Sequence, residues 1–227
     1  MTRTLLILVL FISCSLVVDA QFKKNDILLG GQLSYSYNSA TNTYANVVYP
    51  AGDYKYNNGN FTISAGKAID ENTVFGINLS YIPSSSTNYP SLNDDILLKY
   101  ANNGYSAGIF YRKYKSLGKE FFLFGEVSAS YYWSNQSGKD SIGQELISGS
   151  TSTISANLYP GIAYRVSKHF FLELSIPSLI YIGYSKSNTL SHEENLSQTN
   201  KNDQFYISTS LSSNPLQALG IGFRLLL

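Results

Sequence analysis

The stretch Phe121–Trp133, FFLFGEVSASYYW, carries the pattern that decides the fold. Between Glu126 and Ser130 the even-numbered side chains are polar, while the odd-numbered side chains of the stretch are apolar or aromatic except at Gly125. Successive side chains of a β-strand point to opposite faces. The stretch therefore predicts a strand with one apolar face and one polar face.

The same two-residue alternation recurs through the chain and is interrupted by clusters of Asn, Ser, Gly and Asp. Almost nothing after the first twenty residues has the periodicity of a helix. We predict eight strands, at residues 27–37, 57–68, 73–82, 103–114, 120–133, 151–166, 169–184 and 204–227.

The predicted connections alternate strictly between short and long. Tight turns are expected at 70–72, 115–119 and 167–168, and long polar segments rich in Asn and Ser at 38–56, 83–102, 134–150 and 185–203. Alternate connections of an up-and-down barrel lie at opposite ends, and short periplasmic turns with long external loops are typical of outer-membrane barrels. The sequence thus predicts an all-β fold: a single transmembrane antiparallel up-and-down β-barrel of about eight strands. A soluble barrel is the alternative.

The composition agrees with a surface that faces lipid. Charged residues make up 14% of the 227 residues and aromatic residues another 14%, including 19 Tyr, whereas charged residues are about 25% of an ordinary soluble domain. Sorting the outward aromatic residues by strand direction predicts two belts around an aliphatic band. The net charge of +1 argues against nucleic acid as a partner, because that function needs clustered Lys and Arg.

The N-terminus is typical of a secretory signal. Arg3 precedes the apolar run 5–12, and small or aliphatic residues end at Ala20, so we predict a signal peptide at 1–20 and a barrel domain at 21–227. Cleavage before Cys14 as a lipoprotein is the alternative, although Phe11 fits that motif poorly. Cys14 is the one cysteine of the sequence, so cleavage after Ala20 leaves a mature chain without a thiol or a Cys-based metal site.

The polar faces of the predicted strands carry charges that would be costly in lipid. Arg112 with Glu126, and Arg165 with Glu173, lie on neighbouring predicted strands across short turns, and Arg224 lies in the last strand beside the first. Inside a narrow barrel such charges persist only when they pair. We predict a structural network that plugs the interior. A conduction path or a catalytic cluster is the alternative reading of the same residues.

No catalytic, cofactor or metal site is predicted. His169 falls at a predicted turn, and His192 lies in a predicted loop with Ser191, Glu193 and Glu194 nearby. A catalytic Ser–His set there is disfavoured, because any Ser-rich loop would place a Ser beside a His. A weak cation site is disfavoured, because consecutive residues of an extended loop point apart. The sequence contains no glycine-rich phosphate loop ahead of a helix and no HExxH motif.

Taken together, the pattern resembles the small OmpA/OmpX-type barrels and, more closely, the outer-membrane β-barrel domain family common in Bacteroidetes. The features that carry the resemblance are Ala20-Gln21, Phe170-Phe171-Leu172-Glu173-Leu174, Tyr181 to Ser185 and Leu219-Gly220-Ile221-Gly222-Phe223-Arg224-Leu225. The resemblance implies insertion by the barrel-assembly machinery. The chain departs from such barrels by ending in Leu225-Leu226-Leu227 rather than on an aromatic residue.

The expected function is that of a non-enzymatic outer-membrane protein in contact with lipid and lipopolysaccharide. Its long external loops suit a structural role or contact with an extracellular ligand. A lipid A-modifying enzyme, a narrow channel and an accessory barrel of a secretion apparatus are the alternatives.

Overall fold

The computed structural model describes residues 22–41, 53–88, 98–118, 120–140, 142–176, 178–193, 196–209 and 219–227. The predicted signal peptide and Cys14 lie outside these residues. Within the described residues, no helix is both long and apolar enough to cross a membrane.

Ten antiparallel strands make up the fold. They are β1 (Ile27–Thr41), β2 (Asp53–Asp70), β3 (Thr73–Asn88), β4 (Leu98–Ser116), β5 (Phe121–Lys139), β6 (Glu145–Arg165), β7 (Phe170–Ser175), β8 (Ile180–Glu193), β9 (Leu196–Thr209) and β10 (Gly220–Leu226).

The strands close into a ring. Each strand from β1 to β6 pairs with the next, β6 pairs with β7, β7 with β10, and β10 with β1. Closure places Gly30 opposite Arg224 and Gln32 opposite Gly222, so the first and last strands meet where each carries glycine. The predicted all-β up-and-down barrel is confirmed.

Two of the eight positions around the ring, which we call staves, each hold two strands end to end. This explains why ten strands form an eight-membered ring. β7 and β8 follow each other along one stave, with β6 pairing first to β7 and then to β8. β9 pairs with β8 and β10 with β7 on the next stave. The sequence predicted continuous strands at 169–184 and 204–227, so these interruptions are corrections to the predicted strands.

The strands are also longer than predicted at one end. We call the end that holds the tight turns and both Ile27 and Leu227 the turn end, and the opposite end the loop end. At the loop end the strands continue into segments expected to be loops. For example, β5 runs to Lys139 and β6 begins at Glu145. Asn and Ser lowered the predicted strand tendency there, but the ladder continues because each strand has a paired neighbour. The tight turns lie where predicted, with Asn72 in the left-handed region at a φ of 57°.

Apolar side chains cover the outside of the ring. Outward residues such as Ile63, Ile77 and Ile154 are 65%, 55% and 64% exposed. Aromatic side chains line up across neighbouring strands nearer the loop end, with ring centroids 6.4 Å apart for Phe61–Tyr81, 5.3 Å for Tyr81–Tyr105 and 6.1 Å for Tyr105–Trp133. The two faces predicted from residue parity are therefore present, with the apolar one outside.

The interior at the turn end is apolar, which the sequence analysis did not predict. Its members face inward and are buried: Phe22, Leu28, Val74, Phe110, Tyr114, Phe122, Phe124, Ala163 and Phe171. We call this set the aromatic plug. Phe22 precedes the first strand and is 0% exposed, with ring centroids 4.5 Å from Tyr114 and 5.2 Å from Phe171. The predicted polar interior applies to the rest of the lumen.

Gly76 allows β2 and β3 to pack beneath the Phe110 ring. A Cβ added at Gly76 would meet the backbone oxygen of Ala65 and lie 2.6 Å from Gly66 Cα. Because both obstacles are backbone atoms, we expect Gly76→Ala to lower the free energy of unfolding by about 1–3 kcal/mol, measured by urea titration in lipid vesicles. Gly125→Ala is the control, since a Cβ there meets nothing within 4 Å. Equal stability of the two variants would contradict this packing.

Candidate functional site

Four charged side chains meet in the lumen next to the aromatic plug. We call Arg112, Glu126, Glu173 and Arg224 the charge cluster. Arg112 Nη2 and Nε lie 2.6 and 2.7 Å from Glu126 Oε2, and Arg112 Nη1 lies 2.6 Å from Glu173 Oε1. Arg224 Nε lies 3.2 Å from Glu173 Oε2, and its Nη2 lies 3.8 Å from Glu126 Oε2. Each of these residues is 7% exposed or less.

Strand register and barrel closure both contribute to this arrangement. Arg112 on β4 is directly opposite Glu126 on β5, a pairing that the sequence predicted from the intervening turn. Glu173 and Arg224 come from β7 and β10 on the other side of the ring. Arg112 reaches Glu173, which is 61 positions away in the sequence, only because the strands enclose a narrow lumen.

Two neighbouring hydroxyl groups form further hydrogen bonds with the cluster. Tyr114 Oη donates to Glu173 Oε1 at 3.1 Å and accepts from Arg112 Nη1 at 3.0 Å, and Arg224 Nη1 donates to Ser64 Oγ. Two guanidinium groups face two carboxylates, so the cluster is neutral overall. A buried ion pair is stable only when such additional bonds satisfy its remaining donors and acceptors.

Aromatic faces complete the surroundings of the arginines. Arg112 Cζ lies 4.3 Å from the centroid of the Phe124 ring, and Arg224 Cζ lies 5.7 Å from that of Phe110. Cation–π contacts of this kind add stabilisation where the cation is removed from water. The charge cluster and the aromatic plug both lie buried in the lumen of the turn-end half.

Arg165 is outside the charge cluster, which corrects the predicted Arg165–Glu173 pair. The register places Phe171 opposite Arg165 and Ala163 opposite Glu173. Arg165 therefore lies two residues nearer the turn end than the position opposite Glu173. Its Nε lies 3.0 Å from Glu120 Oε2, and the two side chains are 29% and 45% exposed. Glu173 instead binds the two buried arginines. The structure thus brings together four of the five predicted interior charges.

The two-residue alternation could have revealed most of the inward aromatic residues that were not predicted. Phe110, Tyr114 and Phe124 share the inward parity of Arg112 and Glu126, and a full count of that face would have found an aromatic layer. Phe22 had no such signal, because it precedes the first strand. Its backbone amide donates to Asn72 Oδ1 at 3.4 Å, and its carbonyl accepts from the Asn72 amide at 3.2 Å.

The lumen on the loop-end side of the charge cluster contains a cavity of about 470 Å³. Its walls carry mainly Ser, Thr, Asn and Tyr side chains, and Glu126 forms part of its floor. Hydroxyl groups pair across neighbouring strands, at 2.8 Å for Thr62–Ser80 and 3.0 Å for Ser130–Ser155. This space is polar, in contrast to the aromatic plug.

The two histidines occupy different places. His169 is exposed in a turn, and its Nδ1 lies 3.0 Å from the Leu226 carbonyl oxygen. Ser191, His192 and Glu193 are in β8 rather than in a loop, and Glu194 lies outside the described residues. Among the described residues, no group of three or more His, Cys, Asp and Glu side chains is arranged to hold a metal ion.

The chain is similar to several solved structures. No protein-family model matches it, and no curated protein matches it. One similar solved structure is Neisserial surface protein A, with 13% identity over 88% of this chain and 96% of that chain and a TM-score of 0.39. A second is the outer membrane protein OprG from Pseudomonas aeruginosa, with 9% identity over 92% of this chain and 99% of that chain and a TM-score of 0.47. A third is the outer membrane protease OmpT from Escherichia coli, with 11% identity over 89% of this chain and 76% of that chain and a TM-score of 0.44. No residue role is carried over from them, and the resemblance to the OmpA/OmpX-type and Bacteroidetes families stays a prediction.

Proposed function

We propose that this chain is an integral outer-membrane β-barrel with a closed lumen, acting as a structural or surface-interaction protein rather than as an enzyme. The observation that carries the proposal is that apolar side chains lie on the outside of the ring and charged side chains lie in its interior. Side chains such as Ile63 and Ile77 are more than half exposed on the outside, while Arg112 and Glu173 are buried inside. A soluble barrel would arrange these side chains the other way round.

Closure of the ring supports insertion into a bilayer. Within the hydrocarbon layer every backbone N–H and C=O must find a partner inside the protein, and closed barrels satisfy this requirement. The aromatic row Phe61–Tyr81–Tyr105–Trp133 suits the headgroup level, where amphipathic rings are favoured. The outer face would then contact phospholipid and lipopolysaccharide, and the predicted route of insertion is the barrel-assembly machinery.

The packing in the turn-end half supports a closed lumen. The charge cluster and the aromatic plug leave an eight-membered ring filled by its own side chains, as expected for a barrel of this size. The charges also bind one another, which disfavours their use in acid–base catalysis or in ion conduction. We therefore favour a passive barrel over a channel or a lipid A-modifying enzyme.

The β8–β9 pair supports a surface-interaction role. The side chains from Ser197 to Phe205 on β9 are all exposed, and most of them are polar. Lys186 Nζ and Asp203 Oδ2 lie 3.9 Å apart on this pair, and both side chains are more than half exposed. The polar, exposed strand β9, paired with β8 at the loop end, offers a surface to extracellular partners.

The proposal is tested on the protein in isolated outer membranes. We expect it to fractionate with those membranes and to migrate differently on gels with and without boiling, because a folded barrel resists the detergent. Purified protein in planar bilayers should give no steady ion conductance. Lipid A from cells with and without the protein should have the same mass spectrum. Recovery in a soluble fraction would contradict the membrane assignment, steady conductance would contradict the closed lumen, and a changed lipid A mass would contradict the passive role.

A further inference from the structure

We propose that the cavity above the charge cluster binds one small, uncharged, polyhydroxylated molecule of the size and class of a monosaccharide or cyclic polyol. The cavity has a volume of about 470 Å³. An eight-stranded barrel can either fill its interior with side chains or hold one small ligand. This chain does the first in its turn-end half and the second in its loop-end half.

The space arises from an abrupt change in the size of inward side chains. On β5 the inward positions run from Phe122 and Phe124 to Ser128 and Ser130 within a few residues. β6 changes likewise, with Thr153, Ser155 and Asn157 buried on its inward face. Side chains as large as those of the aromatic plug would have filled the ring. Small hydroxyl side chains leave room.

The walls offer hydrogen bonds of both kinds. Thr62 pairs with Ser80 at 2.8 Å, Ser130 with Ser155 at 3.0 Å, and Thr153 donates to Ser185 at 3.0 Å. Thr62 also donates to Asn60 Oδ1 at 3.1 Å, and Ser155 also accepts from Asn157 Nδ2 at 3.4 Å. A hydroxyl group has one donor and two acceptor lone pairs, so these groups keep capacity for further hydrogen bonds. A ligand rich in hydroxyl groups has the same dual character and matches such walls.

The charge balance of the floor disfavours an ionic ligand. Glu126 is the charged side chain among the described residues that line the cavity, and its Oε2 is within 2.6 Å of Arg112 Nη2. The charge cluster of two arginines and two glutamates is neutral. A ligand with a net charge would enter without a counterion, and burying an unpaired charge is costly.

Two tyrosines give the wall a flat apolar surface with a polar edge. The rings of Tyr181 and Tyr206 stack with centroids 5.3 Å apart and an interplanar angle of 11°, and their hydroxyl groups lie 3.0 Å apart. Such a side chain combines an apolar body with a polar tip. A sugar ring has a matching C–H face and a hydroxylated rim. Ordered water is the competing occupant.

The test measures binding to the protein purified from outer membranes in a detergent without a sugar headgroup. D-glucose, D-galactose and myo-inositol serve as uncharged probes, and D-glucosamine and D-glucuronate as cationic and anionic analogues, in calorimetric titrations. We expect saturable one-to-one binding of at least one uncharged probe and weaker binding of its charged analogue. Ser155→Leu, which places a larger apolar side chain in the cavity, should raise the Kd about tenfold or more.

Ala156→Leu is the matched control, because Ala156 is the adjacent residue and is exposed on the outer face. It should leave the Kd unchanged. Ser130→Leu, opposite Ser155 on β5, is the second cavity-filling variant if Ser155→Leu loses the folded gel band. The proposal is overturned if no uncharged probe binds wild-type protein, if a charged analogue binds more tightly, or if a folded cavity-filling variant retains the wild-type Kd.

Discussion

Arg112→Ala is expected to lower the free energy of unfolding by about 3–5 kcal/mol, the usual effect of removing one partner from a buried ion pair. The substitution leaves Glu126 and Glu173 facing Arg224 alone, so that the lumen holds one uncompensated negative charge. It also removes the contact with the Phe124 ring and the hydrogen bond to Tyr114 Oη. Urea titration of the protein folded into lipid vesicles measures this loss.

The double variant Arg112→Ala/Glu126→Ala should recover part of that stability. It removes one charge of each sign and leaves the Arg224–Glu173 pair, whose Nε–Oε2 distance is 3.2 Å, as a balanced unit. The coupling is read from the double-mutant cycle with Glu126→Ala. If the losses of the two single variants simply add, Arg112 and Glu126 are not coupled, and the predicted pairing between them is contradicted.

Arg165→Ala is the control for the loss of an arginine as such. Arg165 binds Glu120 at the turn end, where both side chains are substantially exposed. Exposed ion pairs contribute about 1 kcal/mol or less, so this variant should stay close to wild type. A loss as large as that of Arg112→Ala would show that burial is not what distinguishes the two arginines.

Ile109→Arg is expected to destabilise the protein in lipid vesicles by about 2–4 kcal/mol, the cost of a lipid-facing arginine near the bilayer midplane. Ile109 is 49% exposed on the outer face and lies between Ile77 on β3 and Ala129 on β5. In a soluble barrel the same substitution would replace an exposed apolar side chain by a charged one at little cost. The free energy of unfolding in vesicles therefore distinguishes the two environments.

Asn135→Arg gives the matched comparison. Asn135 is exposed on the same face of β5, two residues beyond Trp133 and thus past the aromatic row toward the loop end. The cost of a lipid-facing arginine falls to about 0–1 kcal/mol near the membrane interface. Equal stability of the Ile109→Arg and Asn135→Arg proteins would remove the support that the outer face gives to the membrane proposal.

Parts of the candidate site were accessible from sequence because they are local. Arg112 and Glu126 flank a tight turn, so antiparallel pairing brings them opposite each other once the turn is recognised. The same reasoning failed for Arg165 and Glu173, because the turn between them fixes a register that pairs Arg165 with Phe171. A shift of two residues changes the partner of a side chain without changing the face on which it lies.

The strand lengths were underpredicted for a related reason. Segments such as 134–139 and 185–193 are rich in polar residues that disfavour strands when judged one at a time. In the structure they continue ladders whose neighbours are already aligned, and β8 runs on to Glu193. Backbone pairing extended the strands further than the side chains alone indicated.

What the sequence determined by itself is the period of two, the order of the eight staves and the face of each side chain, because these follow from strand geometry and from turns of a few residues. Only the tertiary structure decided that Arg112 meets Glu173 across the lumen, that Phe22 closes the turn end, and that small side chains leave a cavity above the charge cluster. Those contacts join positions far apart in the chain, and ring closure sets them through the width and register of the barrel.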